Sequence, residues 1–141
     1  MNKSDAFLIA KEKMLDNDKF SQWLGVRLEE IRSGYCKLSM TIREEMTNGF
    51  SIAHGGICYS LADSALAFAS NSHGKMAVSI ETSISHISKL KAGDNICAEA
   101  KEISKTEKIA VYLVEVLNSE GSLVASFKGT VYRSSKEWIA K

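Results

Sequence analysis

Between Glu45 and Lys75 the only side chain with a fixed charge is Asp63, set among residues that are small, apolar or neutral. A carboxylate on a covered surface is costly unless hydrogen bonds or a ligand compensate, and such groups concentrate where chemistry is done. A narrow wet stripe beside two serines is the plainer alternative. The run opens on His54-Gly55-Gly56. Glycine at the start of a helix lets a ligand approach backbone N–H groups that have no partner inside the helix. The positive end of the helix dipole adds to their pull on a carbonyl oxygen or an anion. A carboxylate base and amide donors are the parts needed to attack a carbonyl.

Spacing limits how these parts can work together. Gly56 and Asp63 share a helix face, but roughly 10 Å of helical rise separates them. One carbonyl can hardly contact the Gly56 amide while its carbon lies against the Asp63 carboxylate of the same chain. Two antiparallel copies across a two-fold axis would bring the helix start of each beside the carboxylate of the other, giving two equivalent sites per dimer. An obligate homo-oligomer is expected.

The element carrying these groups is legible. Ile57, Leu61, Ala62, Ala65, Phe68 and Ala69 recur at helical spacing, and Ser60, Asp63, Ser64, Ala67 and Asn71 take the remaining face in place of the Lys and Glu of a solvated helix. Such a helix is meant to be covered on most sides. Before it, residues 4–18 read as an outer helix capped by Ser4 or Asp5, with Phe7, Ala10, Met14 and Leu15 as its apolar stripe. Phe20, Trp23 and Leu24 lead into a strand near residues 26–31, and after a turn at Gly34 the alternation of Cys36, Leu38, Met40 and Ile42 predicts its hairpin partner. Thr47-Asn48-Gly49 marks a loop. After Gly74 the period becomes two: Met76, Val78 and Ile80, then Ile96, Ala98 and Ala100, then Ile109, Val111 and Leu113, then Leu123 through Val131 predict four strands, with a loose tail or short helix from Ser134. The expected fold is α+β, a curved antiparallel sheet wrapped around the central helix. Residues 1–20 form an N-terminal helix segment, 21–133 the domain and 134–141 a tail.

The chain has 141 residues, 45% of them hydrophobic and 25% charged, enough for one well-buried domain. A net charge of +1 with the signs interspersed gives no footprint for nucleic acid and no polybasic membrane patch. The apolar run from Ala6 to Ala10 is too brief for a signal peptide or a membrane span, so a cytoplasmic protein is expected. Cys36, Cys58 and Cys97, with His54, His73 and His86, show neither metal-ligand nor redox spacing. No metal, disulfide or cofactor is expected. His73 and His86 read as structural.

His54-Gly55-Gly56, with Asp63 seven residues after Gly56 and an Ala-rich run to Asn71, resembles the motif of the hotdog-fold acyl-CoA thioesterases. The likeness extends from about Phe20 to Arg133, and the run from His54 to Ser72 is most similar to the phenylacetate-degradation branch. The resemblance implies hydrolysis of an acyl-CoA thioester to a carboxylic acid and free coenzyme A, in a homodimer or a homotetramer made of two dimers. It makes Asp63 the general base or nucleophile and the Gly56 amide the group that polarises the carbonyl. It gives Asn48 and His54 the task of orienting the thioester and the loop, and Ser79 that of holding the attacking water. Gly55 and Ser64 are read as further substrate contacts. Where relatives often carry Arg-Pro-Gly, this chain reads Ser88-Lys-Leu-Lys-Ala-Gly-Asp94, so Lys89 or Lys91 is the candidate for a coenzyme A phosphate. A non-catalytic acyl-CoA-binding module and a hotdog hydratase are the rival readings.

Overall fold

The computed structural model describes residues 3–140, with side chains from Asp5 onward. The proposed Ser4 cap and residues 1, 2 and 141 of the terminal segments lie outside the described residues. In chain order the elements are α1 (Lys3–Phe7), α2 (Lys19–Leu24), β1 (Arg27–Arg32), β2 (Tyr35–Thr41), α3 (Gly55–Asn71), β3 (Lys75–His86), β4 (Asn95–Lys105), β5 (Ile109–Asn118) and β6 (Leu123–Glu137). A π-helical stretch (Leu8–Met14) and a 3-10 turn (Leu15–Asn17) continue α1. The six strands form one sheet in the order β1-β2-β4-β5-β6-β3, every pair antiparallel. α3 contacts every strand, so the sheet wraps it as the sequence predicts.

Helix α3 sits close to the sheet because glycine permits it. A Cβ at Gly129 on β6 would lie 2.5 Å from Leu66 Cδ2 of the helix. Leu61, Ala62, Ala65, Phe68 and Ala69 are fully buried against Leu38, Met40, Ala98, Tyr112, Val114 and Phe127 of the sheet's inner face. At its far end Asn71, 2% exposed, ties the helix to β3: its Nδ2 donates to the Ala77 carbonyl at 3.0 Å and its Oδ1 accepts the Ala77 N–H at 2.9 Å.

Four expectations need correcting. The entry at Phe20 and Trp23 is a helix, α2, capped by Asp18, which accepts from Ser21 N–H at 2.9 Å, and closed by Gly25 in the left-handed region. The N-terminal stripe runs through Ala6, Ile9, Ala10 and Leu15 with Phe7 outside, because the wider π turns rotate the residues away from an α-helical phase. On β5 the buried phase is Ala110, Tyr112, Val114 and Val116 instead of Ile109, Val111 and Leu113; both faces of this strand are apolar, so alternation alone cannot choose the inner one. Residues 134–137 are not loose but extend β6, with Lys75 of β3 opposite Glu137.

Candidate active site

The face of α3 that the sheet leaves open is a stripe of Gly56, Ser60, Asp63 and Ala67, all partly exposed. Asp63 makes no hydrogen bond or ion pair among the described residues, and burial, with a smaller push from the Asp18 carboxylate, raises its pKa above the ordinary carboxylate value. The stripe is narrower than periodicity suggests. Ser64, expected to touch substrate, is 9% exposed, and its hydroxyl lies 2.8 Å from Ser21 Oγ under α2. It is a packing link between the two helices. Asn71 is likewise buried in structural bonds.

At the start of α3 the backbone is set by the preceding loop. Thr47 and Ala53 form an isolated antiparallel bridge, and Asn48 shapes the turn between them, its N–H donating to the Ile52 carbonyl at 2.8 Å and its Oδ1 accepting the Phe50 N–H at 2.9 Å. His54 is the helix cap: its N–H donates to the Met46 carbonyl, and its Nδ1 accepts the Gly56 N–H at 2.9 Å. The Gly56 amide, expected to polarise the carbonyl, is engaged by His54 in this structure. The Gly55 N–H, at the first helical position, has no partner among the described residues. With Nδ1 accepting, the ring proton of neutral His54 belongs on Nε2, which remains free to donate.

Two cavities divide the Gly55 amide from Asp63, while Gly56 and Ser60 line a third. The first, of about 350 Å³, is lined by Asn48, His54, Gly55 and Lys89, together with His86 and Cys58 among others. Burial pushes the Cys58 thiol up to about 11, so it stays protonated at neutral pH. The second, of about 470 Å³, is lined by Asp63 and Ser79 with Met14, Leu66, Met76, Val78, Val131 and Trp138 among its walls. No residue lines both. A single chain thus holds the free amide and the carboxylate in separate spaces, as the helical rise between them demands. Lys91 lines neither; its N–H is held by Asp94 Oδ2 at 2.9 Å in the Lys91-to-Asp94 turn.

Sequence reasoning missed two residues here. His86 reaches the first cavity from the end of β3, where a Cβ on Gly55 would lie 3.3 Å from its Nε2. Trp138 reaches the second from beyond β6. Neither stands near the motif in sequence; strand register brings His86 to it, and hydrogen bonds to Gly74 and Asn71 bring Trp138.

Comparison with known proteins identifies the family. Residues 50–125 match the model of the thioesterase superfamily. A putative esterase of Archaeoglobus fulgidus is 45% identical over 128 residues, covering 91% of this chain and 83% of that protein. The acyl-coenzyme A thioesterase PaaI of Escherichia coli is 34% identical over 120 residues, covering 85% of this chain and 86% of that one. The solved structure of the Escherichia coli PaaI protein from the phenylacetic acid degradation operon superposes with a TM-score of 0.92 at 32% identity, over 96% of this chain and 97% of that chain. The chain belongs to the thioesterase superfamily, within the hotdog-fold branch of hydrolases that contains the phenylacetate-degradation thioesterase.

Proposed function

We propose that this protein hydrolyses an acyl-coenzyme A thioester to a carboxylic acid and free coenzyme A, at sites shared between two copies of the chain. The observation that carries this reading is the division of the free Gly55 amide and the unpaired Asp63 carboxylate between cavities with no lining residue in common. The named activity of the Escherichia coli relative supports the substrate class.

In this mechanism the thioester carbonyl of one site accepts the Gly55 N–H of one protomer, at the positive end of α3. The Asp63 carboxylate of the other protomer, made more basic by burial, takes a proton from a water held with the help of Ser79. Water oxygen bonds to the carbonyl carbon, the carbon–sulfur bond breaks, and the coenzyme A thiolate leaves and is protonated. Direct attack by Asp63 is the alternative route, and a label from heavy-oxygen water found on Asp63 after a single turnover would mark it. His54 holds the loop through Gly56 and leaves Nε2–H free to donate, Asn48 shapes the wall beside it, and Lys89 offers a cation for a coenzyme A phosphate. No cofactor beyond the coenzyme A of the substrate takes part.

Support for the dimer comes from the sheet edge. β3 spans twelve residues at the end of the sheet, and Val78 and Ile80 on it are 65% and 59% exposed. A long, apolar, unpaired edge invites a second strand. Two copies joined antiparallel at β3 would bring the open stripes of α3 to face each other, and two such dimers make the homotetramer the resemblance implies. Among the described residues no helix is long and apolar enough to cross a membrane; cytoplasmic residence is proposed with the activity.

Release of free thiol from acyl-CoA esters, followed with a colorimetric disulfide reagent, tests the reading. Steady release abolished by Asp63→Asn supports it. Saturable binding without thiol release would favour a binding module, and water addition to an enoyl ester without thiol release would favour a hydratase.

A further inference from the structure

The cavity beside Asp63 has a wall that the proposed chemistry leaves unassigned. Past the end of β6, Trp138 is fastened at two points: its backbone N–H donates to the Gly74 carbonyl at 2.9 Å, and its indole Nε1–H donates to Asn71 Oδ1 at 2.8 Å. Asn71 is itself buried and fully used, with Nδ2 donating to the carbonyls of Ala67 and Ala77 at 2.8 and 3.0 Å. A buried amide with no freedom of its own therefore fixes the indole. The polar tip of the tryptophan is satisfied by Asn71, and its apolar body is left as lining.

The rest of the wall has the same character. Met14, Leu66, Met76, Val78 and Val131 are apolar, and the two thioethers and the indole are surfaces that suit an aromatic ring. Of the polar residues, Asn71 is spent and Ser70, 2% exposed, donates its hydroxyl to the Ala67 carbonyl at 3.2 Å. Only Asp63 and Ser79 have side-chain polar groups without a hydrogen bond among the described residues, and the proposed mechanism uses both. At about 470 Å³ the space lies within the range of small-molecule pockets and far exceeds the need of an acetyl group.

We propose that this cavity receives the acyl group, and that Trp138 is a specificity-determining residue that selects an apolar acyl group of about phenyl-ring size, free of charge and hydroxyl. This rests on the thioester-hydrolase reading above. A hydroxylated ring would bury its hydroxyl without a partner, and a short acyl chain would leave the indole and both thioethers uncontacted.

The test compares kcat/KM for phenylacetyl-CoA, 4-hydroxyphenylacetyl-CoA and acetyl-CoA in the wild type, Trp138→Ala and Trp138→Phe. The wild type should prefer phenylacetyl-CoA. Trp138→Ala should lower its kcat/KM at least ~10-fold while acetyl-CoA changes little, and Trp138→Phe should restore part of the preference. Equal loss on all three esters, or no loss, would overturn the proposal while leaving the hydrolase reading intact. A second readout is independent of turnover: in a Trp23→Phe background, Trp138 fluorescence should change saturably with a non-hydrolysable phenacyl-CoA thioether. If the wild type cleaves none of the esters, the hydrolase reading fails; a saturable change would then still uphold the cavity as a binding site, and a flat response would overturn it.

Discussion

At one edge of the sheet, β1 is six residues long and carries Arg27, Glu29, Glu30 and Arg32, with ion pairs joining Arg27 to Glu29 and Arg32 to Glu30. A register shift between Leu28 and Glu30 interrupts it, and α1 packs against it. At the other edge, β3 is twice as long, has no charge between Lys75 and His86 except Glu81, and leaves Val78 and Ile80 bare. Short length, charge, a bulge and a covering helix are the usual protections against pairing with another strand. One edge has all of them; the other has register shifts between Lys75 and Ala77 and between Ser79 and Glu81, but only Glu81 as a charge between its ends and, among the described residues, no covering helix like α1. The difference supports β3 as the edge at which the proposed second copy joins, beside the open stripe of α3 that carries Asp63.

The largest effect should come from treating β3 as β1 is treated. Ile80→Lys is expected to give a monomer by light scattering and at least a ~1,000-fold loss of turnover, since base and amide donors would be parted together. Glu29→Lys, at the protected edge, should leave mass and turnover unchanged. Parity between the two variants would break the comparison.

Next in size, Asp63→Asn should lower turnover at least ~100-fold with the oligomer intact. Because burial and Asp18 raise the folded-state pKa of Asp63, the native protein holds that proton more tightly than the unfolded chain, and stability falls as pH rises through that pKa. Above it the variant is relieved of the cost, so its Tm near neutral pH should equal or exceed that of the wild type. A lower Tm would mark Asp63 as a structural residue.

Smallest is Asp18→Asn, which keeps an oxygen to cap α2 but removes a negative charge that raises the Asp63 pKa. The acid limb of the kcat/KM profile should move to lower pH, with the plateau rate kept. A shift to higher pH would contradict the assigned base.

The protected parts of the molecule were the legible ones. α3 announced itself by an uncharged run too long and too regular for a loop, and β2 and β4 by alternation with one polar phase. β5 offered two apolar phases, and only packing against α3 chooses between them. α2 was hidden behind its aromatics, although Asp18, Ser21 and Gly25 stand where a cap and a left-handed stop belong. At the site, residue types pointed to the start of α3 and to Asp63, but not to which amide is free: that depends on His54 reaching Gly56. His86 and Trp138 carry no local signal, since strand register and a tail hydrogen bond put them in place.

Complementation tests the shared site most directly. Gly55→Pro removes the free N–H at a helix position where proline is tolerated, and His54 before it already has the extended backbone that proline requires. Asp63→Asn removes the carboxylate. Each variant alone should be nearly inactive. Dissociated and reassociated in equal amounts, they should recover about a quarter of wild-type turnover, because half the dimers are mixed and each of these rebuilds one of its two sites. Failure to recover activity, with mixed dimers verified by mass, would place the carboxylate and amide of each site in the same chain and contradict the account.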